Sequence, residues 1–390
     1  MKKVIVKSSV VDKLKKLNPW IYKNEIKKLP KDLKIGDLVN IYSPKGEFLA
    51  IGYINPKSVI AVRVLSFKNE NIDIYFFRNK IKRAIEKRKN LKSITNSYRL
   101  IHSEADFLPG LIVDYYDNYL SIQINTAGIE RFRNEIISIL IDEIKPNGIY
   151  EKSDKKAREK EGLETEERLL YGKILDKILL EENQVKFILD LKNSQKTGFY
   201  LDQRKNREIV SKYSKGKVLD IFSNSGGFGI YSFYNGAEYI KFVDISPNAI
   251  HQLEENCLLN NIKNYSIVKE DAFDFLKNEL NKGEKYDLIV LDPPPFAKTK
   301  KEREGALRGF KYLISHSMKL LNNEGYLAVF SCSYSITMED LKALSLELSS
   351  KEKVYLEVVE HLYQDTRDHP YMLNIPNSLY LKGILLRKII

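Results

Sequence analysis

From about Gln184 onward the chain alternates short apolar runs with helix-forming stretches, and this restricts the fold more than any other feature. The runs are VKFILDL, KVLDIF, YIKFVDI, YSIVKED, YDLIVLDPPP and GYLAVFSCS. Helical segments follow Gln203, Gly229 and Ala249, and a longer one lies near Tyr312–Leu321. Strands that are apolar along their whole length are buried on both faces, as in a parallel sheet covered by helices. An α/β class is therefore expected here, with functional loops beyond the carboxyl ends of the strands.

Length and composition bound the rest. A chain of 390 residues exceeds what one hydrophobic core usually spans, so two or three domains are expected. Hydrophobic content of 43% with 30% charged residues is that of a folding chain. No apolar run is long enough for a membrane helix, and the opening MKKVIVKSSVVDKLKK lacks the core and cleavage site of a signal peptide. Two cysteines, Cys257 and Cys332, give no basis for a structural disulfide and fit a reducing cytoplasm. The charge is uneven. Basic residues outnumber acidic ones by 14 to 5 over residues 1–66 and by 9 to 3 over residues 67–92. With the total at +12, the remaining 298 residues sum to −3. A surplus confined to the first quarter predicts a polyanion contact surface, nucleic acid before membrane.

Residues 1–67 read as short strands with turn signals, including a hairpin of Leu38–Tyr42 and Glu47–Ile54 around Ser43-Pro44-Lys45-Gly46, then a strand Val59–Leu65. Several strands in so short a stretch predict a small β-barrel. A lysine- and arginine-rich helix is expected over roughly Ile74–Leu91. Residues 68–185 form a middle α+β section with two strands around Tyr116-Asp117-Asn118 and a helix near Ile129–Ile144. The charge-dense Glu151–Glu167 is expected to be a solvated loop or surface helix that serves as a connection, and the last section runs over residues 186–390.

The strand Val218–Phe222 leads into Ser223-Asn224-Ser225-Gly226-Gly227-Phe228-Gly229, and glycines there allow positive φ and close backbone approach to a ligand. The G-x-G-x-x-G fingerprint of a dinucleotide site is absent, which disfavours a nicotinamide oxidoreductase. Asp220, Asp244 and Asp271 fall at three successive strand ends. Asp244 suits ribose hydroxyls and Asp271 an adenine amino group, while either is also a candidate helix N-cap. Buried acids in register with a glycine loop favour a nucleoside ligand.

LDIFSNSGGFGI, VDISPNAI, EDAF and LDPPPF resemble the ordered motifs of class I methyltransferases, with LDLKNSQKTGFYLDQRKNR, FSCS, Asp368-His369-Pro370 and Tyr380-Leu381-Lys382-Gly383. Together they are similar to the family of 23S ribosomal RNA cytosine-C5 methyltransferases that carry an N-terminal PUA domain. The resemblance spans the chain. It implies a PUA domain at 1–67, a Rossmann-like catalytic domain at 186–390 and S-adenosylmethionine as methyl donor. It further implies donor contacts from Asp220, Phe222, Ser223, Gly226, Gly227, Asp244, Ile245, Asp271, Ala272 and Asp292. By the same likeness Arg204 is a partner for the donor's carboxylate, set against a local ion pair with Asp202 or Glu208.

Asp292-Pro293-Pro294-Pro295-Phe296 closes an apolar strand, and its prolines stiffen the loop and remove amide hydrogens. Pro293, Pro294 and Phe296 are candidate substrate contacts. Cys332 follows the strand Tyr326–Phe330. Cytosine C5 is a poor nucleophile, but a thiolate added at C6 makes it enamine-like, which casts Cys332 as nucleophile and Asp292 as the partner of cytosine N3. A free cysteine is otherwise a small buried hydrophobe, the reading kept for Cys257. No metal is expected. The basic segment Lys298–Arg308 is either a phosphate clamp or a solvated helix. The expected partner is 23S rRNA with the target cytosine flipped from a single-stranded or loop region. A homodimer stays open. A purine N-methyltransferase using the Asp-Pro-Pro-Pro-Phe loop and an RNA-binding assembly factor with a residual donor site are the alternatives.

Overall fold

The computed structural model describes residues 1–165, 167–194, 198–297 and 300–389. Lys196 and Thr197 of the KTGFYLDQR stretch, and Lys298 and Thr299 of the basic segment, lie outside them. The chain divides into two compact units: residues 1–181, 189–201 and 367–378, and residues 182–188, 202–366 and 379–390.

The first unit holds two sheets. Its six-stranded sheet runs Trp20–Tyr22, Ile60–Ser66, Phe48–Ile54, Asp37–Tyr42, Lys2–Val6, Ile26–Lys28. The two edge strands are joined by only the short 3-10 turn Lys23–Glu25. That connection reaches about 14 Å at most, whereas six flat strands span about 24 Å. The sheet must therefore curl, which is the small barrel that the strand density predicts. The five-stranded sheet contains Leu111–Tyr116 and Tyr119–Ile124, joined by Asp117 and Asn118, both at positive φ as a tight hairpin turn requires. The helix Ile74–Arg88 packs Phe76, Phe77, Ile81 and Ala84 onto this sheet's core.

Glu151–Glu167 contains the expected surface helix, Lys155–Glu161, with Lys155, Lys156, Glu159 and Lys160 exposed, but part of its charge turns inward. Glu151, Arg158 and Glu161 are buried. Glu151 pairs with Arg133 at 2.6 Å, and Glu161 takes Arg63 at 2.9 Å and the Asn55 amide at 2.9 Å. Charge density predicts solvation only when no opposite charge is waiting in the fold, and the partners here are remote in sequence.

The second unit is built on a seven-stranded sheet: β1 (Gly216–Ile221), β2 (Ala237–Asp244), β3 (Tyr265–Lys269), β4 (Tyr286–Leu291), β5 (Leu321–Ser331), β6 (Tyr355–Tyr363) and β7 (Lys382–Ile389). The order is β3-β2-β1-β4-β5-β7-β6. The first five strands are parallel, and β7 runs antiparallel between β5 and β6. The run VKFILDL does not join it: Val185–Leu189 forms a separate hairpin with Ile178–Glu182. Among the described residues six α-helices accompany the sheet: α1 (Arg204–Ser211), α2 (Gly227–Tyr234), α3 (Pro247–Leu259), α4 (Ala272–Lys282), α5 (Arg303–Leu320) and α6 (Met338–Glu352). Strand residues alternate between faces. Leu219, Ile221, Ile289, Leu291, Leu327 and Val329 join one core with Phe275 of α4, Phe310 of α5 and Leu341 of α6. On the other face Phe330 packs on Phe228 of α2 with ring centroids 5.1 Å apart. Gly383 of β7 lies so close beneath Phe330 that a Cβ there would sit 2.4 Å from its ring.

No described helix is long and apolar enough to cross a membrane. In the first unit, Arg88 is fully buried and grips Asp106 with two bonds of 2.8 and 2.6 Å. Removing one member of a buried pair leaves an uncompensated charge. Arg88→Ala is expected to cost roughly 3–5 kcal/mol. Urea unfolding followed by the fluorescence of Trp20, the single tryptophan and part of the same unit, measures it.

Candidate active site

β1 is the topological switch point: the chain leaves it toward β2 on one side, while β4 lies on the other. Asp220, next to last in β1, is buried and accepts the Gly229 N–H at 2.9 Å. Burial pushes its carboxyl up to about 7 against the pull of that donor, with the charges of Asp292 and Asp244 adding to the rise. The loop beyond is tightly wound. Phe222 and Asn224 adopt φ of 63° and 46°, and Gly226 caps α2 at φ 84°. Ser223 bonds through both its N–H and its hydroxyl to the Val243 carbonyl, 3.1 and 3.2 Å.

Asp244 ends β2 half-buried. Its carboxylate receives the N–H groups of Asn224 at 2.9 Å and Ser246 at 2.8 Å, one on each oxygen. It does not cap α3, whose N-cap is Ser246. Asp271 does cap α4, accepting the Phe273 N–H at 2.9 Å. Ile245, beside Asp244, is 62% exposed, an apolar side chain left open next to a carboxylate. Phe222 and Phe273 both approach the Phe296 ring, at 6.4 and 6.0 Å. Carboxylate lone pairs for hydroxyls, an open apolar surface for a flat base and backbone bared by Gly226 and Gly227 are the groups that fit a nucleoside sulfonium donor.

Arg204 sits elsewhere. It is 0% exposed, with Nη1 3.0 Å from Asp365 and Nε 3.5 Å from Glu182, which also holds Arg207 at 2.7 and 2.8 Å. Asp365 and Glu182 both hold it, and a fully buried guanidinium presents no surface to a donor carboxylate. Asp365 is distant in sequence, so no local spacing announces the pair.

Asp292 directly follows β4, and Cys332 directly follows β5. These strands are parallel neighbours, with Leu291 opposite Val329, so the two side chains leave adjacent strand ends. Cys332 is half-buried and Cys257 is buried, its thiol pushed up to about 12 by burial. Pro293 is buried, Pro294 and Pro295 are exposed, and Phe296 is half-buried among Phe222, Phe273 and Phe310. Two residues of the site carry no signal of their own in the sequence. Gln203 donates to Asp292 Oδ2 at 3.0 Å while its own oxygen receives Asn206 at 2.6 Å. Lys382 is buried at the start of β7 and donates to the Ser333 carbonyl at 2.6 Å. Both lie inside stretches that resemble the family, LDQRKNR and YLKG. Among the described residues no group of His, Cys, Asp and Glu is placed to hold a metal.

Residues 160–386 match the model of the S-adenosylmethionine-dependent methyltransferase family, and residues 4–67 match a PUA-like domain. The chain belongs to this family of S-adenosylmethionine-dependent methyltransferases. It is 38% identical over 380 residues to the ribosomal RNA large subunit methyltransferase I of Tolumonas auensis, covering 95% of this chain and 96% of that one. The protein of that name from Aeromonas salmonicida is 38% identical over 378 residues, covering 95% of each. SMU.776, assigned as a methyltransferase and solved with SAH, shares the fold with a TM-score of 0.86 at 22% identity, covering 99% of this chain and all of its own.

The raised carboxyl of Asp220 has a direct consequence. Its folded value of about 7 exceeds the ordinary 3.8, so the folded state holds this proton more tightly than the unfolded chain. The associated stability is present at low pH and is lost as pH rises from about 4 to about 7. Asp220→Asn keeps an acceptor for Gly229 but removes the titration. In the donor-free protein its stability relative to the wild type should rise by on the order of 2–3 kcal/mol between pH 5 and pH 8, read by urea titration with circular dichroism.

Proposed function

We propose that this chain methylates C5 of a cytosine in 23S ribosomal RNA, with Cys332 as the covalent nucleophile. The observation that carries this reading is the pairing of a half-exposed thiol and a carboxylate at neighbouring parallel strand ends, beside the donor loop. The full-length likeness to two ribosomal RNA large subunit methyltransferases I supports an rRNA substrate, as does the PUA-like domain within a basic first quarter. A flipped base from a single-stranded or loop segment suits a thiol at the floor of an open strand end.

S-adenosylmethionine supplies a methyl carbon made electrophilic by its sulfonium. Asp244 holds the ribose hydroxyls and Asp271 the adenine amino group. Ile245, Ala272 and Phe222 pack on the base, and Ser223, Gly226 and Gly227 shape the backbone around the amino-acid end. Cys332 adds as thiolate to C6, and the ring electrons this releases make C5 the nucleophile. Asp292, as a protonated carboxyl, donates to N3, while Gln203 donates to its Oδ2 and fixes its orientation. C5 bonds to the methyl as the sulfonium–methyl bond breaks and its electron pair stays on the donor sulfur; the C5 proton then leaves to solvent and its bonding pair re-forms the C5–C6 double bond. The C6–S bond then breaks and its electron pair returns to sulfur. Pro293, Pro294 and Phe296 hold the loop that carries Asp292. Phe296 is packed among three other phenylalanines, which suits a loop support better than the stacking face a purine N-methyltransferase needs.

Two measurements test this. Cys332→Ala should lose methyl transfer by at least about a thousandfold while donor affinity holds, and wild-type protein should form a covalent adduct with RNA containing 5-fluorocytidine. An active Cys332→Ala variant together with no adduct overturns the proposal, and nucleoside mass spectrometry of the product then names the true target atom. Asp244→Ala should weaken S-adenosylmethionine binding by about tenfold to a hundredfold in calorimetry, the range for hydrogen bonds to a charged group.

A further inference from the structure

The start of β7 places a buried cation against the loop that carries Cys332. Lys382 pairs with Ser331 across β5 and with Tyr363 across β6, so its backbone position is set from both sides. The residue is 8% exposed, and its ammonium donates to the carbonyls of Ser333 at 2.6 Å and Tyr380 at 2.9 Å. Ser333 directly follows Cys332, so the first bond pins the charge to the thiol's own turn. An ammonium has three donors, and two are used on carbonyls. Burying an ammonium is costly unless a negative group repays it. Among the described residues no carboxylate forms an ion pair with Lys382. Asp340 of α6, the carboxylate whose charge acts on it, is itself engaged by Arg303 of α5.

We propose that Lys382 is the positioning residue that holds Cys332 as a thiolate. The proposal rests on the reading of Cys332 as nucleophile. A cation beside a thiol favours the charged form, which is the form that attacks. The same cation stabilises the charge that returns to sulfur when the C6–S bond breaks. Burial draws Lys382 down to about 8, and the nearby Cys332 and Asp340 counter that fall. The charge is therefore present below about pH 8 and fades above it. The ionisable groups acting on Lys382 are Cys332 and Asp340, the latter paired with Arg303, and Tyr363 lies opposite it in the strand register.

The test is the pH profile of iodoacetamide alkylation at Cys332, followed by peptide mass spectrometry so that buried Cys257 is scored separately. Wild-type protein should show a midpoint at least one pH unit below about 8.5, the value of an ordinary thiol. Lys382→Gln retains donors for the two carbonyls but not the charge, and should alkylate about tenfold more slowly at pH 7 with its midpoint raised by a unit or more. Lys382→Arg restores the charge and should stay within threefold of the wild-type rate. A wild-type midpoint less than one unit below 8.5 overturns the proposal without any variant. So does a Lys382→Gln profile that matches the wild type, or one that matches Lys382→Arg. The 5-fluorocytidine adduct separates the two claims. An adduct with an unshifted thiol sinks this inference alone, whereas a shifted thiol with no adduct sinks the cytosine reading alone.

Discussion

The second unit depends on one constraint, the backbone register of four parallel strands. Ile221 of β1 lies opposite both Val243 of β2 and Leu291 of β4, and Leu291 lies opposite Val329 of β5. Because the hydrogen-bonded ladders end nearly level, Asp244, Asp220, Asp292 and Cys332 emerge along one edge of the sheet. A slip of one residue in any pairing would turn a side chain to the opposite face. Local chemistry then adds little more than loop winding: the positive φ of Phe222, Asn224 and Gly226, and the carboxylate of Asp244 fastening two turns.

Much of this arrangement was legible in the sequence, because strand ends and helix starts have local signatures. The apolar runs gave all five parallel strands, and the hairpin around Asp117-Asn118 followed from turn chemistry. What escaped was set by partners far along the chain. Arg204 is committed to Asp365 and Glu182, and Glu161 to Arg63 and Asn55. Nothing in the spacing of either residue points there. VKFILDL has the composition of a central strand yet forms a hairpin, since apolar alternation alone does not choose between sheets. Asp244 and Asp271 looked equivalent as caps, and only the structure separates them: Ser246 took one cap and left Asp244 to hold the loop.

The first unit uses charge where the second uses register. Arg88 with Asp106, Arg99 with Asp114, Arg133 with Glu151 and Arg63 with Glu161 are ion pairs with at least one buried member. Such pairs contribute little net stability over apolar contacts, but each penalises any arrangement that separates its partners. Two of these arginines, Arg63 and Arg88, belong to the basic quarter of the chain and are committed inward. The basic count therefore overstates the charge on offer to an RNA.

The contact between Gly383 and Phe330 joins two parts of the chain that sequence reading treats apart. Phe330 rests on Phe228, which belongs to the first turn of α2, the turn whose Gly229 amide Asp220 holds. A side chain added at Gly383 has to push Phe330, and Phe330 has little to yield against except that turn. The donor loop is thus bounded by a residue far downstream in an antiparallel strand. Natural variation at Gly383 should be as restricted as within the loop itself, and the two positions should change together when they change at all.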